Sequence, residues 1–148
     1  MTPLSRRSLL AIAAVVDVAL HARPTPVAAK MLAERHALPP RHLETLLQTL
    51  VRAGILKGTR GPRGGYALAR ERRRISAGEI ARAAMLDAAE DGPAPRSALI
   101  ETVVAPQLAR ATEAFLAALD DVTVEELCRQ AERAAVQGQA TAKADFTI

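Results

Sequence analysis

The apolar positions of this chain recur at helical spacing in most segments and alternate in one. Leu9, Ile12, Ala13, Val16 and Leu20 form one face of a helix predicted from Ser5 to His21, which Arg23-Pro24-Thr25-Pro26 stops. A short second helix is predicted from Val27 to His36, with Val27, Met31 and Leu32 inward and Lys30, Glu34 and Arg35 outward. After Leu38-Pro39-Pro40, a third helix sets Leu43, Leu46, Leu47, Leu50 and Val51 on one face. Pro40 is compatible with its first turn, where the missing N–H has no helical partner anyway. The opposite face carries Arg41, His42, Thr45, Gln48, Thr49 and Arg52: cations, amide and hydroxyls able to meet phosphates and base edges.

Gly54 closes that helix, and the pattern changes to two short strands, Ile55–Thr59 and Tyr66–Leu68. Between them lies Arg60-Gly61-Pro62-Arg63-Gly64-Gly65, where glycines permit positive φ and proline presets a turn. The result is a tight hairpin with an arginine-bearing tip. Helical spacing resumes at Ile75-Ser76-Ala77-Gly78-Glu79-Ile80, where Ser76 and Glu79 make a capping box and Ile75 and Ile80 a hydrophobic staple. This fourth helix is predicted to end near Ala89.

Glu90 to Arg96 reads as a linker. Beyond it Leu99, Val103, Leu108, Ala111, Phe115, Leu116 and Leu119 form a long apolar stripe, which Pro106 must kink or restart. Such a stripe either folds back on its own domain or meets a second copy across a two-fold axis. Thr123 with Glu126, and Val122 with Leu127, repeat the capping box and staple before a last helix predicted to end near Val136. The fold class is therefore mainly α: a winged helix-turn-helix domain over 1–89 with a two-stranded wing, a linker over 90–96, C-terminal dimerisation helices over 97–137, and a disordered tail over 138–148.

Charge sharpens this picture. Residues 1–75 hold fourteen Lys+Arg against four Asp+Glu, and residues 76–148 six against twelve, so the net +4 hides a basic half and an acidic half. The basic half carries the hairpin, as a polyanion partner requires. Tyr66, Phe115 and Phe146 are the only aromatic residues, too few for the base-stacking platforms that read single strands, and duplex recognition remains. The single cysteine, Cys128, excludes an intrachain disulfide framework and a cysteine-ligated metal cluster within one chain. Its two readings are a small buried apolar residue and a redox thiol, the latter through an intersubunit disulfide.

Ser5-Arg6-Arg7 before Leu9–Val16 imitates an export signal, but Asp17 ends the apolar run and the helical face crosses the supposed cleavage site. The expected location is cytoplasmic, with no membrane partner. Gly58-Thr59-Arg60-Gly61 and Gly61-Pro62-Arg63-Gly64 fit the GXXG of a KH clamp, yet a strand follows where that clamp needs a helix. No phosphate-binding P-loop, serine elbow or metal-ligand spacing of His21, His36 and His42 is present, so neither an enzyme nor a metal site is expected. Two classes remain: a regulator that binds double-stranded DNA, and a winged-helix module that binds proteins.

Four segments in this order resemble the Rrf2 family of bacterial winged-helix transcription regulators: Asp17-Val18-Ala19-Leu20, His42-Leu43-Glu44, Arg60-Gly61-Pro62-Arg63-Gly64-Gly65-Tyr66 and Val122-Thr123-Val124-Glu125-Glu126-Leu127. The resemblance implies a homodimer on a pseudo-palindromic operator, most plausibly a repressor, with the third helix in the major groove and a wing arginine in the minor groove. It assigns DNA contact to Arg41, His42, Glu44, Thr45, Arg60 and Arg63, to which the polar face of the third helix adds Gln48. The wing turn falls to Gly61, Pro62, Gly64, Gly65 and Tyr66, and dimerisation to Leu108, Ala111, Phe115 and Leu119. Glu44 matches a family carboxylate that accepts from cytosine. Pro39 and Arg41 replace serines with which some relatives contact DNA, so base preference does not transfer. Cluster-bearing members have three cysteines between the fourth helix and the dimer helix; here Asp87 to Ile100 has none, so no iron–sulfur cofactor is expected. A small-molecule effector is open and undefined.

Overall fold

Leu43, Leu46, Leu47 and Leu50 are at most 1% exposed and form the centre of the molecule. Each contributes roughly 1.5–3 kcal/mol by leaving water. The computed structural model describes residues 2–86 and 95–145, with side chains through 138. Its elements are α1 (Arg6–His21), α2 (Ala29–Arg35), α3 (Pro40–Arg52), β1 (Leu56–Thr59), β2 (Gly65–Leu68), α4 (Ala77–Leu86), α5 (Ala105–Asp120) and α6 (Val124–Asp145). A single 3-10 turn, Arg72–Arg74, precedes α4. The predicted end of the fourth helix near Ala89 and most of the 90–96 linker lie outside the described residues.

The centre of α1's inward arc lies to one side of the predicted face: Ile12, Val16 and Leu20 are partly buried against the core as expected, while small residues and valines beside them are buried completely. Ser8, Ala11, Ala14, Val15 and Val18 are buried, while Leu9 is 53% exposed. α1 packs against α4, whose buried residues include Ala81, Ala83 and Ala84 beside Ile80. In α2, Leu32 is buried as expected but Met31 is exposed. Thr49, assigned to the outer face of α3, is likewise buried, and its hydroxyl accepts from Arg7 at 3.2 Å.

β1 and β2 pair antiparallel, with Leu56 opposite Leu68 and Thr59 opposite Gly65. A third strand position completes the wing: the Val27 and Tyr66 backbones exchange N–H···O bonds of 2.9 and 2.8 Å. Gly65 makes this approach possible, because a Cβ there would strike the Val27 carbonyl. Gly65→Ala should therefore lower stability by about 2–3 kcal/mol, the upper part of the usual range for one substitution, read as a lower urea midpoint. Gly61 at the tip has φ +112°, a conformation that L side chains rarely adopt.

The two capping boxes meet in space. Ser76 Oγ accepts from Glu79 N–H and Thr123 Oγ1 from Glu126 N–H, each at 3.1 Å. The segments before α4 and α6 pair through Ala77 N–H to Val122 O (2.7 Å) and Val124 N–H to Ile75 O (2.8 Å). The glutamates turn elsewhere, Glu79 to Arg70 and Glu126 to Gln130. Through this pairing α6 returns to the first core, where Val124 and Cys128 are fully buried.

Pro106 falls in the first turn of α5, where a π turn over Ile100–Val104 leads directly into the helix and Ala105 N–H bonds the Ile100 carbonyl. The apolar stripe divides at this helix. Leu116 is buried toward α4, with Phe115 and Leu119 half-covered, whereas Leu99 (65%), Val103 (52%) and Leu108 (62%), together with Ala111, remain uncovered. At the end of the chain α6 continues to Asp145 rather than stopping near Val136, so the segment read as a disordered tail is helical over most of its length. An isolated glycine, Gly138, costs about 1 kcal/mol, too little to end a helix among alanines and glutamines.

Candidate nucleic-acid interface

The outer face of α3 presents Arg41, His42, Glu44, Thr45 and Gln48, all exposed. They project outward because Leu43, Leu46, Leu47 and Leu50 hold the other face in the core. At the start of α3, Pro39 occupies the N-cap without a side-chain hydrogen bond, and the first-turn N–H groups have no capping acceptor. Thr45 donates its hydroxyl to the Arg41 carbonyl at 3.3 Å.

Wing and helix share two adjoining concavities. One, of about 580 Å³, is lined by Glu44, Thr45, Gln48, Arg52 and Tyr66. The other, of about 400 Å³, adds Thr59, Arg60, Gly64 and Gly65 to Gln48 and Tyr66. Tyr66 joins them, its hydroxyl accepting from Gln48 Nε2 at 3.5 Å. The structure thus brings together Glu44, Thr45, Gln48, Arg60 and Tyr66. Arg63 is set apart: with Pro62 it lines a depression shared with Met31 and Arg35 of α2.

The residue that orients this assembly is one that the hydrophobic pattern treats only as an interruption. Asp17, 8% exposed, sits within the inward face of α1. Its carboxylate accepts from Arg35 Nε (2.9 Å) and Nη2 (2.5 Å), from His36 Nε2 (3.0 Å) and from His21 Nδ1 (3.1 Å). His21 and His36 are therefore held at a common carboxylate rather than being independent surface residues. The knot fixes α2 and the turn into α3 against α1. Burial alone would raise the Asp17 pKa; the Arg35 bonds and charge, with the two histidines, outweigh it and hold the carboxyl below its ordinary value. Its sequence signal is a lone acid amid apolar helix positions with a histidine four residues on.

Cys128 is fully buried beneath the 3-10 turn, and burial pushes its thiol pKa up against the opposing influence of Arg72. A sulfur so enclosed suits the packing role.

The α2–α3 pair joined to a β1–β2 wing defines a winged helix-turn-helix protein. A family model described as Rrf2, iron-dependent transcriptional regulator, matches residues 4–130. The chain belongs to the Rrf2 family of transcriptional regulators. It resembles the solved structures of T. potens IscR (31% identical, TM-score 0.68, 90% of each chain covered) and of CymR, the global cysteine regulator of B. subtilis (25%, TM-score 0.65, 88% of this chain and 98% of that one). Among sequence relatives, an HTH-type transcriptional regulator of Synechocystis is 44% identical over 77 residues and IscR of Vibrio atlanticus 36% over 77. Those matches span about half the length of the curated relatives, 52% and 44%.

The family's description raises iron, and the donor set can be tested against it. One cysteine, fully buried, cannot supply a thiolate-ligated cluster, and among the described residues no three His, Cys, Asp or Glu side chains gather as a metal site. The Asp17 carboxylate is engaged with Arg35, and His21 and His36 with that carboxylate. A single cysteine does not fit a cluster ligated by several thiolates within one chain. Among the described residues no helix is long and apolar enough to cross a membrane.

Proposed function

We propose that the protein binds double-stranded DNA sequence-specifically as a homodimer and represses transcription from a pseudo-palindromic operator, without an iron–sulfur cluster. The observation that carries this reading is the shared groove in which Glu44, Thr45 and Gln48 of α3 lie beside Arg60 of the wing. Their chemistry divides the work. Glu44 accepts from cytosine N4, Gln48 reads an adenine edge or a phosphate, and Arg60 enters the adjacent minor groove. The uncapped N–H groups at the start of α3 suit a phosphate oxygen. The uncovered Leu99–Leu108 face supplies the apolar surface for a second copy.

Selection of bound fragments from genomic DNA with the full chain tests this reading. An inverted repeat with half-sites about one helical turn apart is expected. Enrichment of sequences without two-fold symmetry would remove the dimeric operator.

A further inference from the structure

On the side of the wing opposite α3, the end of α1, the outer face of the hairpin and the turn at 70–73 enclose a cavity of about 630 Å³. Lys57 and Ala67 face it, alternating along the strands with Gly58 and Tyr66, which line the α3 groove. Val18, Ala22 and Leu68 give it an apolar floor, and Arg23, Lys57 and Arg72 line it. Two more arginines border it but are engaged, Arg70 by Glu79 and Arg73 by Glu71. Of the acids at its edge, Glu71 is held by Arg73 and Glu125 by Arg129. Among the described residues no carboxylate lies within ion-pair distance of Arg23, Lys57 or Arg72.

Two uncommitted cations, Arg23 and Lys57, beside an apolar hollow that Arg72 also borders while its guanidinium is drawn to the buried Cys128 thiol, match a small ligand with several negative charges on a carbon or ring frame. We propose that this cavity binds an organic polyanion, a metabolite bearing two or more phosphate or carboxylate groups, and that its occupancy weakens duplex binding. The coupling follows from position. Lys57 and Thr59 line the cavity and Arg60 is the next residue, so a bound polyanion cancels positive field beside the wing and ties β1 to the end of α1. The binding half stands alone; the regulatory half rests on the duplex-binding reading above.

The test uses the full chain at fixed ionic strength, with pyrophosphate, citrate and magnesium-free ATP as probes and sodium chloride as the control. The phosphate and carboxylate probes distinguish the two anion chemistries. At least one probe should raise the melting temperature saturably, with an apparent Kd below about 1 mM. The Arg23→Ala/Lys57→Ala variant, altered only at exposed positions, should keep its far-UV circular dichroism and lose about tenfold or more in probe affinity, as for removed charge-assisted bonds. At saturating probe, duplex affinity of the unaltered protein should fall at least about fivefold, the lower end of typical coupling.

No saturable shift with any probe, or an equal shift in the double variant, overturns the site. So does a double variant that binds duplex at least about tenfold more weakly while neither protein binds a probe, since the cations would then be DNA-backbone contacts. Unchanged or raised duplex affinity with the probe bound overturns the coupling. Probe binding by a protein with no duplex affinity leaves the site standing and removes the DNA-binding reading instead.

Discussion

Asp17→Asn is expected to destabilise the protein by about 2–3 kcal/mol near neutral pH, below the range for breaking a fully buried ion pair because Arg35 keeps 31% of its side chain exposed. The substitution preserves shape but removes the charge that four donor groups share, and the new amide turns a donor toward other donors. The effect should follow pH with a definite sign. Asp17 has a lowered pKa in the folded protein, so its contribution is fully present above the ordinary carboxylate value near 4 and is lost as pH falls through the folded value. Urea unfolding of both proteins should show a constant gap from roughly pH 5 to 7 that closes below about pH 4. Because the knot holds α2 and the turn into α3, the variant should also bind duplex more weakly at temperatures where it remains folded.

Arg60→Ala is expected to weaken specific duplex binding by about 1–3 kcal/mol, roughly fivefold to 150-fold in Kd, with little change in stability. Arg60 is exposed at the end of β1, and no carboxylate among the described residues pairs with it, so its removal disturbs no internal contact. If it enters the minor groove, loss of one cation should also reduce the slope of log K against log salt by about one. Arg63→Ala, in its separate depression beside α2, should have the smaller effect.

What the sequence made legible was local. The four leucines of α3, the glycine hairpin and both hydroxyl caps each depend on residues a few positions apart, and each stands where the pattern put it. Contacts distant in sequence were not legible. The fully buried centre of α1's inward arc depends on its packing against α4, more than fifty positions on, and Asp17 gains its meaning from Arg35 and His36 at the end of α2. Thr49 reads as an outer residue until Arg7, 42 positions away, is seen to meet it. For the same reason the apolar stripe through α5 could not be divided from sequence: only the packing of Leu116 toward α4 shows which half stays uncovered. Within the candidate site, helix and wing residues were recognisable by type, but their convergence on one groove, and the separation of Arg63 from it, required the fold.

The most direct test of the central claim is a fluorescence-anisotropy titration of the full chain on a selected duplex and on a scrambled duplex, each at two salt concentrations. The account predicts nanomolar binding to the selected duplex, at least about a thousandfold weaker binding to the scrambled one, and a steep loss of both with salt. Absence of duplex binding even at low salt would contradict it and leave a winged-helix module whose partner is a protein.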